Sequence, residues 1–582
     1  MNLLDLKISK FAFENKVTLS LMFLFSILAT LCLMLQPFLF VLIFNLLKTS
    51  FLGEVPLIKE TSSTLSFFNL NNLFISIKKI FSNFDSGFDE KKKIIIYSLV
   101  FIFISFLYLI FSYLNSALKA HRETNLSFQL RKLLQIKILK YDLLDFNKIE
   151  KGYFQSTFIK DVEDFSILPG KFINGLLTHS LQVLICIIFL ISTDLKLSLI
   201  VLIIFFFHFI YNKLLSFPLT KASKARYLLS GKVSGILIDY LNNYRNYKLS
   251  SDQYNQKFLS ESFNDLRNKE FKIELLDVLQ NPARFFINNI AIITIISVVT
   301  YFLFLQKINL ETAFLFIFFC RYATTPISGL TTTLLWGKVI NTAFFRIQRI
   351  FEYESKILEG NIDILTFKNE IEFKNVDFNF GTNQVFKDLS FKIKKNKHNL
   401  IIGDNGSGKS TLLDLLIRLI DPIKGNIFID TVDIKNLKLK KYHKIFSYIS
   451  QNNTLINSTI EQNLVFGTDL KKTDENYKKK IREALNLVDG LFVYELEKDI
   501  HNQVGEDGNL LSGGQKQKIL IANAILRKSQ IIIFDESSSA LDKKTKINFQ
   551  NLIKRISKDI TVIEVNHEYN LNENHNMNLI KL

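Results

Sequence analysis

Long apolar runs fill much of the first 350 residues, and they leave this chain few ways to fold. They cover residues 17–47, 94–117, 176–193, 197–214, 285–305 and 310–340. Backbone placed in hydrocarbon must hydrogen-bond to itself, so stretches of this length become membrane-crossing helices. Helices buried inside a large soluble protein would not repeat at such length. Two connections are tiny, Asp194-Leu195-Lys196 and residues 306–309, whereas 118–171 and 213–284 are long, helical in pattern and net basic. Lysine and arginine favour the cytoplasmic side, which places both long loops and both termini there. Residues 1–350 are therefore expected to form an all-α six-helix transmembrane domain whose helices extend beyond the bilayer.

The flanking segments fit that plan. Lys7, Lys10 and Lys16 punctuate an apolar N-terminus that reads as a short interfacial helix; the run after it is too long for a signal peptide. Between the first two spans, 65–81 repeats apolar residues every three or four positions. That helix either rests on the outer leaflet or packs on its own domain. The cluster Lys91-Lys92-Lys93 falls outside, against the charge rule.

The formal charge of +18 would suit nucleic acid, but the basic residues lie beside apolar spans and form no arginine-rich tract. Nucleic acid is therefore not an expected partner. Cys32, Cys186 and Cys320 all sit in apolar runs and read as small buried residues. Polar residues inside the spans are candidates for a substrate pathway: Arg321 first, then His208, Asn288 and Asn289. Arg321 at that depth suits an anionic group, a structural pair or a snorkelling side chain.

After a polar linker, 351–366, the pattern changes to the short strands and helices of an α/β domain over 367–582. Gly403, Asp404, Asn405, Gly406, Ser407, Gly408, Lys409, Ser410 and Thr411 spell a phosphate-binding loop between an apolar strand and a helix. Its glycines let backbone N–H groups close on phosphate oxygens, and the helix N-terminus adds its dipole. Lys409 would reach the β- and γ-phosphates, and the Ser410 hydroxyl would ligate Mg²⁺. Further on, the strand 531–534 ends in Asp535 and Glu536. Asp535 is placed as an indirect Mg²⁺ holder, and Glu536 to orient or deprotonate the attacking water.

Between these motifs lies Leu511-Ser512-Gly513-Gly514-Gln515 ahead of a helix. With this motif the chain resembles the ATP-binding cassette (ABC) transporters over essentially its whole length, and specifically exporters that fuse six transmembrane helices to one nucleotide domain. The resemblance implies several roles. Gln451 corresponds to the glutamine that touches Mg²⁺ and relays to the membrane domain, and His567 to the histidine that contacts the γ-phosphate. Glu506 corresponds to the acid of the exporters' X-loop, and 538–542 to the D-loop. Phe380 stands where the family stacks a tyrosine on adenine. Ser512, Gly513, Gly514 and Gln515 would close over ATP held by a second subunit.

A homodimer follows, and a heterodimer with a related half satisfies the same pattern. Short helices near 144–152 and 242–249 would dock on the nucleotide domains. Lys518 and Glu568 replace arginines usual in the family, and the family's closing strands and helices are expected to be cut short.

The resulting expectation is a multi-domain membrane protein: the six-helix ABC exporter fold followed by an α/β P-loop NTPase domain. It would bind ATP and Mg²⁺ and hydrolyse ATP. That energy would move a peptide or amphipathic small molecule out of a bacterial cell through its plasma membrane. Lipid or lipid-linked oligosaccharide flipping and multidrug export are the alternatives, and a non-transport P-loop ATPase is disfavoured by the spans.

Overall fold

The computed structural model describes residues 16–52, 88–249, 252–308, 310–364, 366–450, 454–536, 543–566 and 577–582. The 65–81 segment, the N-terminal interfacial helix before Lys16, and the D-loop segment lie outside the described residues. The chain divides into two compact units. One comprises Met1–Lys140 and Ile149–Tyr353, the other Tyr141–Lys148 and Glu354–Leu582.

The first unit is helical. Its main helices are α1 (Lys16–Leu52), α2 (Glu90–Ile138), α3 (Gly175–Thr193), α4 (Leu195–Asn242), α5 (Asp252–Phe304) and α6 (Leu310–Phe351). Five helical stretches, Lys16–Phe44, Lys91–Ile138, Lys151–Ile191, Phe285–Phe304 and Thr312–Phe351, are long and apolar enough to cross a membrane. A shorter apolar stretch, Leu195–Tyr211, opens α4. The α3–α4 turn is a single extended residue, Asp194, whose carboxylate caps α4 by accepting the Leu197 N–H at 2.8 Å. Between α2 and α3 the chain is broken into short helices with two π-helical segments, Thr157–Asp161 and Leu168–Asn174, the second carrying Pro169 near its start.

The apolar core of this unit gathers α1, α3, α4, α5 and α6 around Phe38, Phe189 and Phe319. Phe189 stacks on Phe319 at 3.7 Å between ring centroids, and Phe38 meets both edge-on at 5.3 and 5.4 Å. Such pairs add about 0.5–1.5 kcal/mol each beyond simple burial. All three cysteines are buried and free.

The second unit holds two sheets. One is antiparallel, in the order β2 (Asn383–Lys394), β1 (Glu370–Phe380), β4 (Lys424–Ile429), β5 (Val432–Asp433). The other is parallel: β6 (Phe446–Ile449), β7 (Ile531–Asp535), β8 (Thr561–Asn566), β3 (His398–Ile402), β9 (Asn578–Lys581). Helix α7 (Lys409–Leu416) buries Leu412, Leu413, Leu415 and Leu416 in one core, with strand residues such as Phe373 and Ile533. A second core packs α8 (Tyr477–Leu487), α9 (Gly513–Leu526) and α10 (Lys543–Ile556) over β7, where Phe534 meets Phe549 edge-on.

Two features bear on the sequence expectations. A short closing strand is present: β9 pairs in parallel with β3, and the Leu582 N–H donates to the Ile402 carbonyl at 2.9 Å. The second unit also includes residues 141–148, which overlap the docking helix expected near 144–152. Leu143–Lys148 forms a short helix whose Leu143 and Leu144 pack on the first core. Asp142 accepts hydrogen bonds from the Ser355 hydroxyl and, at 2.7 Å, from the Lys356 N–H, while the Lys356 ammonium lies 3.0 Å from Asp145.

Candidate functional site

The carboxyl edge of the parallel sheet assembles the site. In register, Ile402 lies beside Asn566 and Asp535 beside Val565, so the segments leaving β3, β7 and β8 emerge side by side. Ligands of open α/β sheets bind at this edge.

The loop leaving β3 is the phosphate loop. Gly406 and Gly408 have φ of 85° and 93°, backbone open to glycine, and a Cβ on Gly408 would meet Val385 and the Phe386 ring. Helix α7 begins at Lys409, so the loop delivers its free N–H groups to one point. The buried Lys409 ammonium curls back to the Gly403 and Asp404 carbonyls at 2.9 and 3.0 Å. Asp404, Asn405, Gly406 and Ser410 are exposed, and Thr411 is buried in the first turn. The Ser407 hydroxyl oxygen is enclosed and has no hydrogen-bond partner among the described residues, as expected of a group whose partner is a ligand.

Asp535 ends β7, and its Oδ2 accepts the Tyr448 hydroxyl at 2.6 Å. Asp414, one turn into α7, is a third member of this cluster: burial, with the Asp535 charge added, pushes its carboxyl up to about 6. Glu536 follows at φ 51° in the left-handed region, its N–H bonded to the Val565 carbonyl at 3.1 Å. Phe380 closes β1, 45% exposed, with its ring edge-on to Phe378.

The signature segment is a helix start. Ser512 caps α9 by accepting the Gln515 N–H, and the Gln515 side chain returns a bond from the Ser512 N–H, a complete capping box. Gly513 is exposed, and a Cβ there would meet nothing within 4 Å. Gln451 and His567 lie outside the described residues.

Tyr448 and Asp414 are the members that sequence reading missed. Asp414 looked like an ordinary helix residue, and Tyr448 like an ordinary strand residue; only strand pairing brings the tyrosine to Asp535.

In the helical unit, Arg321 is exposed on α6 while its neighbours Cys320 and Ala323 are buried in the core. Thr325 and Trp336 are exposed on the same helical face. Asn288 and Asn289 are half-buried on α5, and the Asn288 Oδ1 is enclosed without a partner among the described residues. His208 lies on α4 with its side chain outside the described set. A chain of polar groups unnoticed in the sequence crosses three helices: the Tyr322 hydroxyl donates to Gln36 at 3.1 Å, and the Gln36 amide donates to Ser105 at 3.3 Å.

A multi-pass helical domain followed by a sheet-bearing ATP-binding domain defines a membrane protein powered by nucleotide. Residues 386–539 match the ABC transporter family, and residues 19–327, more than half of the chain, match the ABC transporter transmembrane region. The chain belongs to the ABC transporters, as an exporter-type half-transporter. It is 28% identical over 457 residues to a Rickettsia prowazekii protein named as an export ATP-binding/permease protein, covering 75% of this chain and 76% of that one. It is 30% identical over 323 residues to the ATP-dependent lipid A-core flippase of Pasteurella multocida, covering 53% of each. A bacterial Atm1-family ABC exporter with ATP bound shares the fold at a TM-score of 0.73 and 19% identity, covering 94% of this chain and 91% of that one.

Proposed function

We propose that this protein is an ATP-hydrolysing exporter or flippase that works as a homodimer by alternating access in a bacterial cell membrane. The observation that carries this reading is the phosphate loop. Two left-handed glycines, an unpartnered buried Ser407 oxygen and a lysine held by loop carbonyls form a cradle on a chain that also carries membrane-length helices. The cradle fits a nucleoside triphosphate. In this reading Lys409 neutralises the β- and γ-phosphates, and Phe380 offers its exposed ring to adenine.

Ser410 and Asp535, with Gln451, present the oxygen donors that suit a hard cation such as Mg²⁺. When bound there, the ion neutralises charge across the terminal phosphates. Glu536 orients the attacking water and takes its proton, and His567 steadies the γ-phosphate. Ser512, Gly513, Gly514 and Gln515 supply a second clamp to the ATP of the partner copy.

The substrate class follows from α6. An exposed arginine, threonine and tryptophan on one face of a membrane helix suit an amphipathic molecule with an anionic group, a peptide or small molecule, recognised by Arg321 with Asn288, Asn289 and His208 contributing polar groups. The similarity to a lipid A-core flippase favours a second reading, a lipid cargo. Mass spectrometry of molecules co-purifying with the trapped protein separates the two.

The test of the mechanism is Glu536→Gln. Loss of a general base costs about 10²–10⁴ in turnover, with ATP binding retained and a closed dimer accumulating. Turnover at the wild-type rate would remove Glu536 from this role.

A further inference from the structure

Tyr448 touches neither nucleotide nor water in the proposed reaction, yet it holds one end of the site's central carboxylate. It is the third residue of β6, paired in register with Ile533, two residues before Asp535 on the neighbouring strand. Alternation along β7 puts Ile533 and Asp535 on the same face of the sheet, so the phenol reaches along that face to the carboxylate. The Tyr448 Oη to Asp535 Oδ2 distance is 2.6 Å, the length of a strong hydrogen bond to an ionised acceptor.

We propose that Tyr448 is a positioning residue for Asp535: its hydroxyl fixes one carboxylate oxygen so that the other stays aimed at the phosphate loop and its cation. A carboxylate at a strand end is otherwise free to turn about its last torsion, which is broad for this side chain. A donor on Oδ2 selects one rotation. Partners of this outer kind fix ligand orientation, and their loss costs about tenfold or more in metal affinity.

The proposal rests on the assignment of Asp535 to the cation, and the test separates the two. Full-length wild-type, Tyr448→Phe and Asp535→Asn proteins in lipid nanodiscs are titrated with a fluorescent ATP analogue in EDTA. They are then titrated with Mn²⁺, followed by electron paramagnetic resonance of the bound ion. Tyr448→Phe, which keeps the ring, should retain metal-free ATP affinity within about twofold and raise the Mn²⁺ half-saturation about tenfold. Mn²⁺ binding equal to wild type overturns the proposal. So does loss of metal-free ATP binding, which would make the tyrosine merely structural. If Asp535→Asn binds Mn²⁺ as wild type does, the assignment of Asp535 itself falls, and the role of Tyr448 with it.

Discussion

The two units of this chain lean differently in how they satisfy their polar groups. In the nucleotide unit, buried polar side chains reach across the sequence. The Asn399 amide spans the carbonyls of Lys394, Lys397 and Val562, and the Arg418 guanidinium binds Asp421 and the carbonyls of Ile434 and Leu358. His398 meets Glu564 at 2.8 Å between β3 and β8. In the membrane unit, many hydroxyls turn back to their own helix, Thr30 to the Ser26 carbonyl, Thr294 to Ile290 and Ser297 to Ile293, while a few polar groups bridge helices, as Asn174 to Asn115 and Arg122 to Thr18 do. A bond to the preceding turn needs no partner element, which is the simplest solution where the surroundings offer no water. The comparison therefore sorts the polar groups of the membrane unit. Those that face outward, Arg321 above all, or that bridge helices, as Tyr322, Gln36 and Ser105 do, are the ones that local bonding does not explain.

The comparison is sharpest for two cations. Lys409→Ala removes a buried ammonium that the loop has placed at the phosphate cradle. ATP affinity measured by calorimetry should fall about 100-fold, the equivalent of a strong charge-assisted contact. Unchanged affinity would refute the site. Arg321→Leu asks the matching question of the membrane unit. Transport of an anionic amphipath into inverted vesicles should fall about tenfold, one charge-assisted contact's worth, while ATP hydrolysis without substrate stays at its wild-type rate. Unaltered transport would leave Arg321 with no role in recognition.

A smaller effect tests the long-range pairing of the nucleotide unit by pH. Burial alone would push the Glu461 carboxyl up. The hydrogen bonds from Lys472 and Tyr477 and the charges of Lys472 and His501 outweigh that and hold it below its usual range. A depressed acid stabilises the fold above its unfolded value, and that contribution is lost as pH falls through the folded one. Glu461→Gln should therefore cost about 1 kcal/mol at pH 7, and the difference from wild type should shrink in denaturant titrations at pH 4 and below. The smallest effect belongs to the membrane unit: Thr294→Val gives up only a bond to its own helix and should change stability in detergent by less than about 0.5 kcal/mol. A large loss there would break the distinction between the units.

The overall plan of the fold was legible because its signals are contiguous. Runs of apolar residues announce helices without reference to any partner, and the loop from Gly403 to Thr411 carries its strand, turn and helix start in one stretch. What escaped sequence reading depends on register. Tyr448 and Asp535 are 87 positions apart and meet only because β6 and β7 are neighbours. Gln36 and Tyr322 come from helices that meet in the phenylalanine core, and Ser105 from α2, which packs on α1. The strand β9 escaped for another reason: four residues of weak alternation beside a charged edge give little period to read.

The helix Leu143–Lys148 carries a consequence for anyone who would handle the nucleotide unit alone. Its chain is not continuous: the polypeptide changes unit after residues 140, 148 and 353. A fragment beginning at residue 354 would retain both sheets and the phosphate loop. It would also strip the apolar surface that Leu143 and Leu144 cover and leave Ser355 and Lys356 without Asp142. The natural unit of expression for this ATP-binding part is thus a split one. Residues 141–148, grafted ahead of 354 or added as a peptide, are the missing piece of its surface.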